Sequence, residues 1–288
     1  MTSVLDGRVV LVTGAARGIG AATARAVAAA GARVALLGLE PERLAALAAE
    51  LGPRHAWYEC DVTDREAVER AVGATVETLG GIDVVVANAG IANHGTVAVT
   101  PARDLTRTIE VNLIGVVHTV AAALPHVTER RGYLLLVSSA AAFTAMPGMA
   151  AYCASKAGVE QFGNVLRLEV AHKRVSVGTA HMTWIDTDLV RDMKDDLPAF
   201  RETLARLPGP LGAYTSVEAC AAAFRRAIER RSRRVFVPRS LAWVEALRPL
   251  LLGPLGDASV RRVAADAVPR LEENFRRLGR SFGRHSTG

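Results

Sequence analysis

The chain has 288 residues, 50% of them hydrophobic, 5% aromatic and 22% charged, a balance that suits one large α/β domain with a Val, Leu, Ile and Ala core. Cys60, Cys153 and Cys220 lack metal-ligand spacing, and three is an odd number, so a metal centre and a complete disulfide framework are excluded and reduced thiols in a cytoplasmic protein are expected. The net charge of +6 comes from residues 225–288, with 15 Lys/Arg against 6 Asp/Glu, and no aromatic residues interleave with these arginines as a nucleic-acid platform would need.

Arg8 to Thr13 is a short apolar run with no secretory signal ahead of it. The loop Gly14-x-x-x-Gly18-x-Gly20 follows, and Ala21 to Ala30 reads as an alanine-rich helix closed by Gly31. A strand over Arg33 to Leu37, a helix over Pro41 to Leu51 and a strand over Ala56 to Cys60 come next. Asp61-Val-Thr-Asp64 offers caps for a helix that runs to Leu79. Ile82 to Ala87 is rich in β-branched residues, Ala102 to Leu124 is a long helical region, and Tyr133 to Ser138 is another buried strand. Helix Tyr152 to His172 and strand Arg174 to Ala180 continue the alternation. Thr183 to Pro210 breaks it with an excursion over the sheet end, before helix Ser216 to Arg231 and strand Arg234 to Val237. Continuous apolar strands separated by helices predict a Rossmann-like α/β fold over residues 1–240. This is a doubly wound parallel sheet in three α/β/α layers, with ligands beyond the strand carboxyl ends.

Tyr152 and Lys156 are four residues apart on one helix face, which lets an ammonium stabilise an ionised phenol. In the glycine loop, backbone amides can approach a phosphate at a helix N-terminus, although the spacing differs from G-x-G-x-x-G. Singly, each residue has a plainer reading: a core tyrosine, a serine cap, a surface lysine, a turn glycine.

Together, Thr13 to Gly20, Asn88-Ala-Gly90, Asn112, Ser139, Tyr152 and Lys156 resemble the short-chain dehydrogenase/reductase family over roughly residues 6–240, with twelve residues between Ser139 and Tyr152. The resemblance implies that Tyr152 exchanges a proton with the substrate oxygen and that Ser139, rather than Ser138, hydrogen-bonds it. Lys156 then lowers the Tyr152 pKa and binds the nicotinamide ribose, and Asn112 holds a water in the proton relay. It also implies cofactor contacts from Gly14, Arg17, Gly18, Ile19, Gly20, Asp61, Val62, Asn88, Ala89, Gly90, Ile185 and Thr187. Where an acid would accept from an adenosine ribose, Leu37 is followed by Gly38 and Leu39. With Arg17 nearby this favours NADP(H) over NAD(H), and Glu40 keeps NAD(H) open.

Two departures from the family pattern stand out. Ala87 replaces the first Asn of Asn-Asn-Ala-Gly, and His181-Met-Thr-Trp-Ile-Asp-Thr187 lacks the usual Pro-Gly, which leaves the local backbone path open. His181 reads as packed rather than as a substrate contact. Phe143, Met146 and Met149 supply soft apolar surface, so the expected reaction interconverts a secondary alcohol and a ketone on a fairly large apolar substrate. A 3-oxoacyl reductase and a non-catalytic dinucleotide sensor are the alternatives. By resemblance the protein is a homodimer or homotetramer.

Residues 241–288 form a helical extension. Leu241 to Leu255 is apolar but too short to span a membrane, and a weak membrane-surface contact, a lid and subunit packing are the roles open to it. Val260 to Leu278 reads as an amphipathic helix and Arg280 to Gly288 as disordered.

Overall fold

The computed structural model describes residues 3–196, 201–202, 204 and 209–283. Seven parallel strands form the central sheet in the order β3-β2-β1-β4-β5-β6-β9. They are β1 Val9–Thr13, β2 Arg33–Gly38, β3 Ala56–Glu59, β4 Val84–Ala87, β5 Tyr133–Val137, β6 Ser176–Met182 and β9 Arg234–Val237. Strand periodicity sends alternate residues to opposite faces. Val10 and Val12 therefore enter one core with helices α1 (Gly18–Ala28) and α2 (Pro41–Leu51), while Val9 and Leu11 enter the other with α3 (Arg65–Leu79). Helix α5 (Gly115–Glu129) and α6 (Ala150–Glu169) complete the second face, and α8 (Val217–Arg230) completes the first by packing Phe224 against the sheet. Both faces are covered, which is why the strands read as unbroken apolar runs.

Local signals set the element ends. Asp64 caps α3 by accepting from the amides of Glu66 and Ala67, and Ser216 caps α8 by accepting from Ala219. Helix α1 starts at Gly18 rather than Ala21, because the glycine loop itself enters the first turn. The predicted long helix is α4 (Ala102–Ile109) and α5 joined by a π-turn over Glu110–Ile114, and it continues to Glu129. Ala102–Glu129 is long and apolar enough to cross a membrane by composition, yet its Val116, Val120, Ala123 and Val127 are buried against the sheet.

The excursion after β6 contains β7 (Trp184–Ile185), which pairs in parallel with β8 (Tyr214–Thr215), and α7 (Asp188–Asp196). Part of it, residues 197–200, 203 and 205–208, lies outside the described residues. The extension continues as α9 (Leu241–Ala246), α10 (Arg248–Leu251) and α11 (Pro254–Leu278). Helix α11 therefore begins six residues before the expected Val260.

The chain end corrects one expectation, since residues 280–283 are ordered rather than disordered. His94 N donates to Ser281 O at 2.6 Å, Phe282 forms an antiparallel bridge with Asn93, and Arg280 donates to Asp196 at 2.6 Å. Backbone pairing and a charge partner supply what the polar composition lacked. Residues 284–288 lie outside the described residues.

Candidate active site

The strand order reverses between β1 and β4, so the sheet opens there at its carboxyl edge. Two side chains lock the two strand ends together. Thr13 Oγ1 accepts from the amides of Asn88 and Ala89 at 3.0 and 3.1 Å, while Asn88 Nδ2 donates to the carbonyls of Thr13 and Gly14 at 3.0 and 3.3 Å. Asn88 and Thr13 thus make the bridge without a second asparagine, with Ala87 buried in β4 beneath it. Gly14 has φ +63, and a Cβ there would sit 2.8 Å from Ala89 Cα. A Cβ at Gly20 would overlap the Gly14 carbonyl oxygen, so the loop and α1 touch through bare backbone.

A cleft of about 360 Å³ runs along this edge, lined by Gly14, Arg17, Gly18, Ile19, Gly38, Asp61, Val62, Asn88, Ala89, Gly90, Tyr152, Lys156, Ile185 and Thr187. Of the residues expected at the cofactor, Gly20 alone is not in the lining, for the packing reason just given. The N-terminus of α1 faces the cleft, with Arg17 at the cap position making no side-chain cap bond. At the far end Arg17 Nε lies 3.3 Å from Glu40 Oε2, and Arg43 Nε lies 3.7 Å from Glu40 Oε1. Arg107 also reaches the cleft, donating to Asp61 Oδ2 at 3.1 Å and to Thr63 Oγ1 at 2.8 Å. Sequence reading missed Arg107, because an arginine on an amphipathic helix looks like any solvated charge.

The chemistry-bearing residues meet at the other end. Ser139 lies two residues past β5 in extended backbone, and its hydroxyl accepts from Ala141 N at 3.2 Å and donates to Met182 O at 3.4 Å. Tyr152 sits in the first turn of α6, with Lys156 one turn on and its Nζ 5.7 Å from the phenol ring centroid. Burial pushes the Tyr152 phenol up to about 12, partly offset by a hydrogen bond with the Ser139 hydroxyl. Burial pulls the Lys156 ammonium down to about 8, and Nζ donates to Val137 O at 2.9 Å. Asn112 is fully buried in the π-turn, a distortion that recurs at functional sites. Its Oδ1 accepts from Ile91 N at 2.8 Å, and its Nδ2 donates to Ile91 O at 2.9 Å and Ser155 Oγ at 3.1 Å. That side chain ties the loop after Gly90 to α6.

His181 is packed, as read. Its ring lies 5.5 Å from those of both Phe143 and Phe236, and burial lowers its pKa to about 4. The missing Pro-Gly is replaced by anchoring of another kind: Thr183 Oγ1 donates to Ala213 O at 3.1 Å and Trp184 Nε1 to Leu211 O at 2.8 Å, which fixes β7 beside β8.

Around the phenol lies an apolar patch in which Ala92, Met149 and Met193 are buried, with Met146, Tyr152, Cys153 and Leu189 partly buried against them. The extension roofs this side. Phe275 is buried against Gly95, Leu271 lies over Gly148, and Thr96 Oγ1 donates to Glu272 Oε1 at 2.7 Å. No pattern in the sequence announced these long-range contacts.

A doubly wound sheet with a glycine loop at its switch point and Ser139, Tyr152 and Lys156 in one corner defines a class of dinucleotide-linked oxidoreductases. The chain belongs to the short-chain dehydrogenase/reductase family: residues 8–198 match its short chain dehydrogenase pattern, and the protein is an oxidoreductase acting on CH–OH groups. It is 39% identical over 189 residues to D-threitol dehydrogenase of Mycolicibacterium smegmatis, covering 64% of this chain and 73% of that protein. It is 37% identical over 193 residues to nodulation protein G of a Rhizobium species, covering 66% and 78%. A crystal structure of a short-chain dehydrogenase/reductase from Burkholderia phymatum in complex with NAD shares the fold, with a TM-score of 0.76 and 21% identity over 86% of this chain and 95% of that one.

Proposed function

We propose that the protein interconverts a secondary alcohol and a ketone on a fairly large apolar substrate, using NADP(H) in preference to NAD(H). The observation that carries this reading is the position of Tyr152, one helical turn before Lys156 and packed with Ala92, Met146, Met149, Leu189 and Met193. Soft, flexible methionines adapt to a bulky apolar group and give a small polyol little to bond. A 3-oxoacyl chain fits the same description.

The cleft fits a dinucleotide on its own geometry. A Cβ at Gly90 would stand 3.1 Å from Asn112 Oδ1 and 3.4 Å from Lys156 Nζ, so a glycine keeps the cradle open beside both polar groups. When bound, the dinucleotide supplies or accepts the hydride. Gly14, Gly18 and Ile19 would hold its phosphates at the α1 N-terminus, and Asp61 with Val62 its adenine. Lys156 would hold the nicotinamide ribose, with Ile185 and Thr187 alongside.

In the reducing direction the Tyr152 Oη proton passes to the carbonyl oxygen, which Ser139 Oγ orients by a second hydrogen bond. Lys156 Nζ, one helical turn away, favours the phenolate left behind, and Asn112 keeps the loop and α6 in register around it. Oxidation runs the same proton backwards. Arg17 lines the cleft beside Gly38, where no acid stands at the end of β2, and would be the cation for an adenosine 2′-phosphate on leaving Glu40, which supports NADP(H). We include assembly as a homodimer or homotetramer in this proposal.

The test is titration with NADPH and NADH, followed by absorbance assays on bulky ketones and secondary alcohols with wild type and Tyr152→Phe. Turnover with NADPH that Tyr152→Phe abolishes, while dinucleotide binding survives, is the expected result. Unchanged turnover in Tyr152→Phe removes that residue from the mechanism. Binding without turnover across the panel would favour the sensor alternative.

A further inference from the structure

Helices α9 and α10 run almost without a break, since Leu247 N donates to Trp243 O and Leu251 N to Leu247 O, both at 3.1 Å. One side of this rod, through Leu241, Val244 and Leu251, packs on Ala140, Ala142 and Phe143, directly behind the strand end that carries Ser139. Two charged residues lie between Leu241 and Leu252, and both turn inward. Glu245 pairs with Arg234, while Arg248 lies 3.4 Å from the buried Glu160, itself 3.7 Å from Arg234.

The outer side is left without charge. Trp243 is 75% exposed, Leu247 50% and Leu250 60%, spaced four and three residues apart and so on one helical face. Apolar side chains of this size, exposed together, mark an interaction surface rather than ordinary scatter. Placing the segment's charges in an internal network leaves nothing on that face for water to solvate.

We propose that this face docks the protein on an anionic lipid bilayer, with Trp243, Leu247 and Leu250 entering the interface. The surrounding charge matches such a partner. Exposed Arg233 and Arg239 lie just before and just after β9, exposed Arg262 lies early in α11, and residues 225–288 hold 15 basic against 6 acidic residues. A second copy docked about a twofold axis would bring like arginines together around the patch. Anionic headgroups offer the opposite sign, and a Trp/Leu face with basic neighbours lies in the interface plane rather than spanning it.

The test is co-sedimentation of the full chain with vesicles of phosphatidylcholine alone and of phosphatidylcholine with phosphatidylglycerol, comparing wild type with the double variant Trp243→Glu/Leu250→Glu. Both positions are exposed, so the variant should fold, and an unchanged thermal melt and dinucleotide titration check that it does. Val263→Glu, exposed on α11, serves as a control. Binding of wild type to the anionic vesicles, weakened roughly tenfold or more in the double variant and unchanged in Val263→Glu, is the expected result. The proposal is overturned if wild type stays in solution with both vesicles, if it binds neutral vesicles equally well, or if the double variant binds as wild type does. Absence of vesicle binding together with a dimer that the double variant dissociates, seen by light scattering, would reassign the face to self-association. None of these readouts depends on turnover, so the result stands apart from the proposed reaction.

Discussion

Arg280 Nη2 lies 2.6 Å from Asp196 Oδ1, joining the segment after α11 to the end of α7, which contributes Leu189 and Met193 to the apolar patch beyond the phenol. The Asp196 side chain is 8% exposed, and its Oδ2 has no hydrogen-bond partner among the described residues. Arg280→Ala leaves a buried carboxylate without its cation. We expect a loss of roughly 1–3 kcal/mol in denaturant unfolding, reduced from the fully buried case because Arg280 is itself partly exposed. KM for an apolar substrate should rise more than kcat falls, and Arg280→Lys should recover part of both.

Two buried histidines are expected to make the fold acid-sensitive. Burial lowers both His94 and His181 to about 4, below the usual 6.5 of an unfolded chain. Between those values the unfolded state binds more protons than the native state, so stability is full above about pH 6.5 and falls as pH drops toward 4. Each site contributes up to about 3 kcal/mol to that slope. Urea melts across this range should show a steep decline, and His181→Gln should flatten it; an unchanged slope would rule His181 out as a source.

Lys156 has the opposite consequence on the alkaline side. Its depressed value of about 8, against 10.5 in an unfolded chain, means that the native state gives up the proton first. The desolvation cost is therefore present below about pH 8 and is relieved as pH rises toward 10.5, before the raised Tyr152 begins to work against folding. Lys156→Met should stabilise the protein at pH 7 by up to about 3 kcal/mol while turnover collapses. Equal losses of stability and activity would contradict a functional reason for burying this charge.

Gly20→Ala tests the contact between the glycine loop and α1. The new methyl would overlap the Gly14 carbonyl and lie 2.8 Å from Asn88 Nδ2, and neither can withdraw without breaking the lock between β1 and β4. A cost of at least about 2 kcal/mol is expected, with weaker dinucleotide binding by fluorescence titration. Asn88→Ala should reproduce the binding defect, because it removes the donor that holds both carbonyls.

The sheet was legible because its central strands are buried on both faces, and the predicted β9 coincides with Arg234–Val237. Helix α2 was equally plain, with Pro41 at its start and Gly52 after its end. Boundaries slipped where backbone geometry outranks side-chain pattern, as at the start of α1 and in the π-turn that holds Asn112. Much of the cleft was readable because its residues sit close to glycines or at strand ends, where spacing carries meaning. Arg107 and the roof from α11 were not, since an ion pair to Asp61 and a phenyl ring over Gly95 depend on distant segments meeting, which no local period records. The expected disorder at 280–283 failed for the same reason: pairing with Asn93 and His94 orders a tail whose composition shows nothing to bury.

Thr96 and Glu272 are 176 positions apart, and Asp104 and Ser281 177, yet each pair is joined by a hydrogen bond. Residues 271–281, which complete the roof over the phenol, therefore leave the ribosome well after Gly14 to Thr187 have emerged. A nascent chain can assemble the dinucleotide cleft before it can close the substrate side. A protease cut or a bulky fusion near residue 283 acts on that closing step and leaves the sheet untouched.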